Sequence, residues 1–153
     1  MDHFLSVKDV SDLNHLVKEA LIFKKVPTAD KHLGKNRTIG LLFFNSSLRT
    51  RLSTQRAAQN LGMEVIVMNV GNDGWSLEME DGVIMNGDKP EHVKEAAAVV
   101  GQYCDIVGVR CFSSLTDKEA DYNEKVLMNF VKYCGKPILN LEICHYLIKL
   151  WHM

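Results

Sequence analysis

The chain has 153 residues, which is the usual size of one domain with a single core. Its 18 Lys and Arg residues nearly balance its 19 Asp and Glu residues, which argues against nucleic-acid binding, because such proteins usually show a basic excess. The start lacks a secretory signal pattern, and no apolar run reaches the roughly 18 residues of a membrane span, so we expect a cytoplasmic protein with no membrane or nucleic-acid partner.

Signals for helices and strands alternate along the chain. Apolar residues at helical spacing indicate helices, and continuous apolar runs indicate strands buried on both faces. In chain order we predict a helix around 13–20, a strand at 38–44, a helix from about 50 that ends before Gly62, a strand at 65–68 and a loop at 71–89. A helix from 90 follows, then a strand at 105–110, a helix through 127–134 and a strand at 137–141. The helix from 90 has a predicted buried stripe of Val93, Ala96, Ala97 and Val100. This alternation predicts an α/β fold, a three-layer, doubly wound, four-stranded parallel sheet flanked by helices.

Several local signals refine these elements. Pro90 fits the first turn of the third helix, and Asp121 with Glu124 is spaced like a capping box for the fourth. The six histidines are scattered, and we assign no metal site. The cysteines also lack metal-ligand spacing, so we interpret them as reduced core thiols: Cys104, Cys111, Cys134 and Cys144.

Two clusters of polar residues fall at the carboxyl ends of predicted strands, where open parallel sheets bind ligands. Ser47 to Thr50 open the second helix, whose first N–H groups and dipole attract an anion. Arg49 and Arg51 lie two residues apart, so we expect one at a ligand and the other elsewhere. Arg110 ends the third strand and suits an oxyanion or carbonyl oxygen. The alternative interpretation is that the serines only cap the helix and the arginines are solvated.

Residues 43–51 read Phe-Phe-Asn-Ser-Ser-Leu-Arg-Thr-Arg. This stretch resembles the carbamoyl phosphate motif of the aspartate and ornithine carbamoyltransferases, usually Ser-Thr-Arg-Thr-Arg. Leu48 and the preceding Phe-Phe-Asn are similar to the branch that acts on N-acylated ornithine, and residues 82–92 and 104–110 match in register. The resemblance covers about residues 1–142, which is under half of a family protein.

The resemblance implies an anion site for carbamoyl phosphate. Ser47, Leu48, Arg49 and Thr50 would hold the phosphate, Leu48 through its backbone, and Arg110 would reach the phosphate and the carbamoyl oxygen. Attack of a substrate amine on the carbamoyl carbon builds negative charge on that oxygen and on the departing phosphate. Fixed cations and N–H donors stabilise this charge, so we expect Arg49 and Arg110 to be catalytic and no metal or cofactor to be needed.

The resemblance implies three further roles, each with a structural alternative. Trp75 would reach the site of a neighbouring subunit in a homotrimer, or else it packs on its own subunit as a loop anchor. Pro90 would select a succinyl over an acetyl substrate, but helix initiation also explains it. Glu142 would approach the acylated amino acid, although a carboxylate at a strand end is ordinarily solvated.

The chain departs from the family after Glu142, where the family pattern continues to His-Pro-x-Gln. Here Tyr146 follows His145 and no glutamine comes after it, so we interpret His145 as non-equivalent. We therefore expect a carbamoyl phosphate-binding domain at 1–142, a divergent apolar tail at 143–153 and no C-terminal amino-acid-binding domain.

Three functions remain open at this point. The chain is the inactive half of an arginine-biosynthesis transferase that carbamoylates N-succinylornithine, or it is active with a second chain or as part of a longer one. In the third case it is a non-enzymatic module for anion binding or subunit interaction.

Overall fold

The structure is a computed structural model that describes residues 2–71, 75–80, 82–85, 89–112 and 124–142. A short 3-10 helix at Val7–Asp9 comes first. The elements that follow in chain order are α1 (Leu13–Lys25), β1 (Thr38–Phe43), α2 (Leu48–Asn60), β2 (Glu64–Asn69), β3 (Leu77–Glu78), β4 (Glu91–His92), α3 (Val93–Tyr103), β5 (Ile106–Arg110), α4 (Lys125–Tyr133) and β6 (Ile138–Asn140).

Four strands form one parallel sheet in the order β2-β1-β5-β6. The central strand β1 is buried at every residue after Thr38, as its continuous apolar run predicts for a strand covered on both faces. The register places Phe43 beside Asn69 on one side and beside Arg110 on the other. The last residues of β1, β2 and β5 therefore lie at one edge of the sheet.

Helices cover both faces of this sheet, which confirms the three-layer prediction. One apolar cluster joins Leu42, Val107 and Val109 to the buried stripes of α3 and α4. The other joins Ile39, Leu41 and Phe43 to α2 through Ala58. The predicted stripe of α3 is buried in full, with exposed fractions between 0 and 6%: Val93, Ala96, Ala97 and Val100.

Glycine sets how closely the elements approach at two points. A Cβ on Gly101 of α3 would stand 2.1 Å from the carbonyl oxygen of Cys134, so α3 and the end of α4 pack backbone against backbone there. Gly62 has a φ of +84° and follows the end of α2, as predicted for a residue just past a helix. Its own Cβ would collide with the carbonyl oxygen of Lys31 at 2.1 Å.

Three local predictions are wrong. Pro90 lies before the two-residue strand β4 rather than in the first turn of a helix. Helix α3 begins only at Val93, and the imidazole of His92 caps it by accepting the N–H of Lys94 at 3.0 Å. The loop at 71–89 contains a two-residue strand, β3, which pairs with β4. Glu124 does not complete a capping box, because it is itself the residue before α4, has a φ of +46° and makes no side-chain cap; Asp121 lies outside the described residues.

Helix α1 is present where it was predicted, but none of its residues is buried. Its apolar side chains are about half exposed: Leu13, Leu16, Val17, Leu21 and Ile22. No helix within the described ranges is long and apolar enough to cross a membrane.

Two of the predicted core thiols are buried, Cys104 and Cys134, and Cys111 is partly exposed. All three are free. Burial raises the pKa of the Cys104 and Cys134 thiols, which keeps them protonated at neutral pH. Cys144 lies outside the described residues.

Asp105 fastens the start of β5 to the start of β1. Its carboxylate accepts the backbone N–H of Thr38 at 2.9 Å and the guanidinium of Arg37 at 2.8 Å. These hydrogen bonds lower the pKa of Asp105 below its ordinary value of 3.8, the Thr38 N–H contributing most.

This lowered pKa predicts a pH-dependent stability. The contribution of the ionised carboxylate is fully present above the pKa that Asp105 has in the unfolded chain, and it is lost as the pH falls through the lower folded pKa. We expect Asp105→Asn to reduce the free energy of unfolding at pH 7, and this deficit to shrink below about pH 4, in urea unfolding curves measured across pH. Asp2→Asn at the exposed start of the chain is the control. A deficit that stays constant with pH would contradict this assignment.

Candidate functional site

The site is built first on the start of α2. Ser47 caps this helix, since its hydroxyl oxygen accepts the N–H of Thr50 at 3.2 Å. The N–H groups of Leu48 and Arg49 belong to the first turn and have no acceptor within the helix. Leu48 is 75% exposed, and what it contributes to the turn is its backbone N–H. These N–H groups, the Ser47 hydroxyl and the helix dipole suit an anion.

A buried cation lies against the same turn. Arg110, the last residue of β5, is only 6% exposed, and its Nη1 donates to the carbonyl oxygen of Asn45 at 3.0 Å and faces that of Ser46 at 3.3 Å. Its guanidinium also lies 4.1 Å from the centre of the Phe112 ring. Strand pairing brings Arg110 to this turn, because β1 and β5 are neighbours and end at the same level of the sheet. The two clusters predicted at strand ends therefore form one site.

Glu142 completes the surroundings of Arg110. Its carboxylate lies 3.2 Å from the Arg110 Nε, and the side chains are 14% and 7% exposed. The Glu142 N–H donates to the side chain of Asn140 at 2.9 Å, which fixes the chain just after β6. The carboxylate at this strand end is thus paired with Arg110 rather than solvated.

The two arginines of the motif separate, as predicted from their spacing. Arg51 donates to the side chain of Asn69 at the end of β2, and its guanidinium lies 5.1 Å from the Phe43 ring centre. Arg49 instead lines a groove of about 490 Å³ between α2 and β6, together with Phe4, Thr50, Ser53, Thr54, Leu139, Asn140 and Leu141.

Trp75 and Pro90 lie in the segment that includes β3 and β4. Trp75 packs partly buried against the core of its own chain, and its indole N–H donates to Glu91 at 2.8 Å. Pro90 is exposed and precedes Glu91. The structure thus anchors Trp75 locally, and its proposed contact with a neighbouring subunit stays a prediction.

The same segment holds a carboxylate with a lowered pKa. The N–H of Glu80 and the ammonium of Lys89 lower the pKa of Glu78 to about 2, so this carboxylate is charged at neutral pH.

Sequence reasoning missed two members of this site. Asn45 accepts the N–H of Phe112 through its side-chain oxygen at 2.7 Å, while its carbonyl binds Arg110. The available signal was a polar residue directly after the most apolar strand. Phe112 carried no signal, because its role depends on where β5 ends. Within the described part of the chain, no group of three or more His, Cys, Asp and Glu side chains is placed to hold a metal ion.

A family model described as "aspartate/ornithine carbamoyltransferase, carbamoyl-P binding domain" matches residues 2–146. The chain belongs to the aspartate/ornithine carbamoyltransferase family. This confirms the resemblance that residues 43–51 first suggested, and the match is to the carbamoyl phosphate-binding domain of that family.

Relatives act on acylated ornithine according to their names. The chain is 49% identical over 142 residues to the N-succinylornithine carbamoyltransferase of Bacteroides thetaiotaomicron, covering 93% of this chain and 45% of the relative. It is 39% identical over 144 residues to the N-acetylornithine carbamoyltransferase of Xanthomonas campestris pv. campestris, covering 93% and 42%. The chain therefore spans just under half the length of these curated relatives.

Solved structures agree with the sequence relatives. Acetylornithine transcarbamylase in complex with acetylcitrulline superposes with a TM-score of 0.85 at 36% identity, covering 99% of this chain and 48% of the other. A mutant of N-acetyl-L-ornithine transcarbamylase in complex with carbamyl phosphate and N-succinyl-L-norvaline gives the same values.

The buried pair of Arg110 and Glu142 yields a stability prediction. Removing one partner of a buried pair leaves the other charge uncompensated, so we expect Glu142→Gln to lower the free energy of unfolding by up to about 3 kcal/mol in urea denaturation. The remaining carbonyl partners of Arg110 limit the loss. Glu95→Gln is the matched control, since its carboxylate is 66% exposed and 3.7 Å from His92. Equal losses of unfolding free energy in the two variants would show that the pair of Arg110 and Glu142 stabilises the fold no more than an exposed pair does.

Proposed function

We propose that this chain binds carbamoyl phosphate at the turn between β1 and α2. The observation that carries the proposal is the position of Arg110, whose guanidinium binds the carbonyls directly before the Ser47 cap. A fixed cation and the free N–H groups of a helix thus lie at one place. The family match to a carbamoyl phosphate-binding domain supports this ligand.

In the proposed complex the phosphate lies on the first turn of α2. The backbone N–H groups of Leu48 and Arg49 and the hydroxyls of Ser47 and Thr50 donate to its oxygens. The Arg49 guanidinium adds charge from the groove, and Arg110 donates to the phosphate and the carbamoyl oxygen. These donors stabilise the negative charge that grows on the carbamoyl oxygen and the leaving phosphate when an amine attacks.

We propose N-succinylornithine as the amine substrate of the whole enzyme. The identity to a relative named for succinylornithine supports it, although relatives named for acetylornithine are also similar. Pro90 would contact the acyl group and Glu142 the acylated amino acid. We also propose a homotrimer in the cytoplasm, in which Trp75 contributes to a neighbouring subunit's site.

Activity requires that the amine substrate is also bound and oriented beside carbamoyl phosphate. Orienting two substrates supplies about 7–11 kcal/mol of a bimolecular barrier. The chain spans under half the length of its relatives, so we propose that these 153 residues alone bind carbamoyl phosphate without transferring its carbamoyl group. A non-enzymatic anion-binding module makes the same binding prediction and differs only when the remaining half is supplied.

Binding of carbamoyl phosphate tests the site directly. A hydrogen bond to a charged group contributes about 1.5–3 kcal/mol. We therefore expect Arg49→Ala and Arg110→Ala each to weaken binding by roughly tenfold to a hundredfold in calorimetric titrations. Arg56→Ala, an exposed arginine later on α2, is the matched control and should bind like wild type. Unchanged affinity in the first two variants would refute the site.

Turnover tests the requirement for a second half. The pure chain mixed with carbamoyl phosphate and N-succinylornithine should form no carbamoylated product above the uncatalysed rate, as measured by mass spectrometry. Light scattering on the same sample reports whether it is a trimer. Measurable turnover by the chain alone would overturn the proposal that it is inactive by itself.

A further inference from the structure

We infer that Asn45 is a positioning residue that holds the Arg110 guanidinium at the anion site. This inference rests on the proposed function, in which Arg110 binds carbamoyl phosphate. Asn45 lies two residues beyond Phe43, the last residue of β1, and it contacts both Arg110 and the segment that follows β5.

The side chain of Asn45 continues the pairing of β1 and β5 beyond the strands. The N–H of Phe44 donates to the carbonyl of Arg110 at 2.9 Å, and the N–H of Phe112 then donates to the Asn45 Oδ1 at 2.7 Å. A side-chain oxygen thus replaces the next backbone acceptor of the ladder. The two residues after Arg110 are fastened to the turn that opens α2.

Fastening Phe112 fixes one face of the Arg110 guanidinium. The Phe112 ring centre lies 4.1 Å from the guanidinium carbon, while the ring is itself 44% exposed. A ring at this distance attracts the cation and defines the plane in which it lies. Without the Asn45 bond, the Phe112 backbone loses its acceptor and the ring its fixed position.

The main chain of Asn45 also holds the Arg110 guanidinium directly. Its carbonyl accepts from the Arg110 Nη1 at 3.0 Å, and Glu142 faces the Nε at 3.2 Å. The guanidinium is therefore oriented before an anion arrives. Such preorganisation removes the cost of ordering a long side chain on binding. Asn45 contributes to affinity through Arg110, with no contact to the ligand of its own.

An experiment without ligand tests this placement. We expect Asn45→Ala to shift and broaden the Arg110 Nε–Hε signal in ¹H–¹⁵N NMR spectra of the free protein. Asn60→Ala, at the opposite end of α2, is the matched control and should leave the signal unchanged. Asn45→Ser, whose side chain is too short to place an oxygen where the Asn45 Oδ1 accepts the Phe112 N–H, tests the same link if Asn45→Ala fails to fold, and it should also shift the signal.

A double-mutant cycle then tests the route through Arg110. We expect Asn45→Ala to weaken carbamoyl phosphate binding about fivefold to tenfold in wild type, and less than twofold in an Arg110→Ala background. Equal weakening in both backgrounds, or an unchanged Nε–Hε signal, would overturn the inference. Absence of binding by wild type would refute the proposed function alone, because the signal of the free protein still reports the position of Arg110.

Discussion

The rest of the site depends on one buried cation. Arg110 ends a strand with 6% of its surface exposed, and a charge in that position must be compensated by polar partners. The partners come from two other segments, the carbonyls of Asn45 and Ser46 after β1 and the carboxylate of Glu142 after β6. Satisfying this cation therefore joins the ends of three neighbouring strands. The turn that opens α2 is one of the places where it is satisfied, which places positive charge beside the helix start.

The parallel sheet makes this convergence possible. The four strands of this sheet run in the same direction, so residues that follow these strands meet at one edge. β1 is the most buried strand and lies between β2 and β5, so the segment after it is flanked by the ends of both. Asn69 of β2 accepts a hydrogen bond from Arg51, and Arg110 of β5 donates to the carbonyls that precede Ser47. The ends of β2 and β5 thus contact different parts of the motif, β2 its second arginine and β5 the residues before the helix cap.

Elements whose apolar residues form one continuous run or one helical stripe were predicted correctly. The apolar run of β1 and the stripe from Val93 to Val100 depend on neighbours along the chain, and both elements are present with the expected burial. One wrong prediction lies where two local signals competed. Pro90 fits a helix start and also the entry to an extended segment, and pairing of β4 with β3 decided for the second. The apolar face of α1 predicted the helix but not its exposure, because burial depends on what lies across from it.

The sequence by itself determined the fold class, the order of the elements and the candidate anion turn, because periodicity, capping residues and a local motif are written in consecutive residues. The resemblance of residues 43–51 to a family motif is the source of the proposed ligand, and the family match confirms that resemblance. Only the tertiary structure decided that Glu142 pairs with Arg110, that Arg51 binds Asn69, and that Asn45 and Phe112 join the site. These contacts link residues far apart in the chain. They follow from strand order and register, which consecutive residues do not specify.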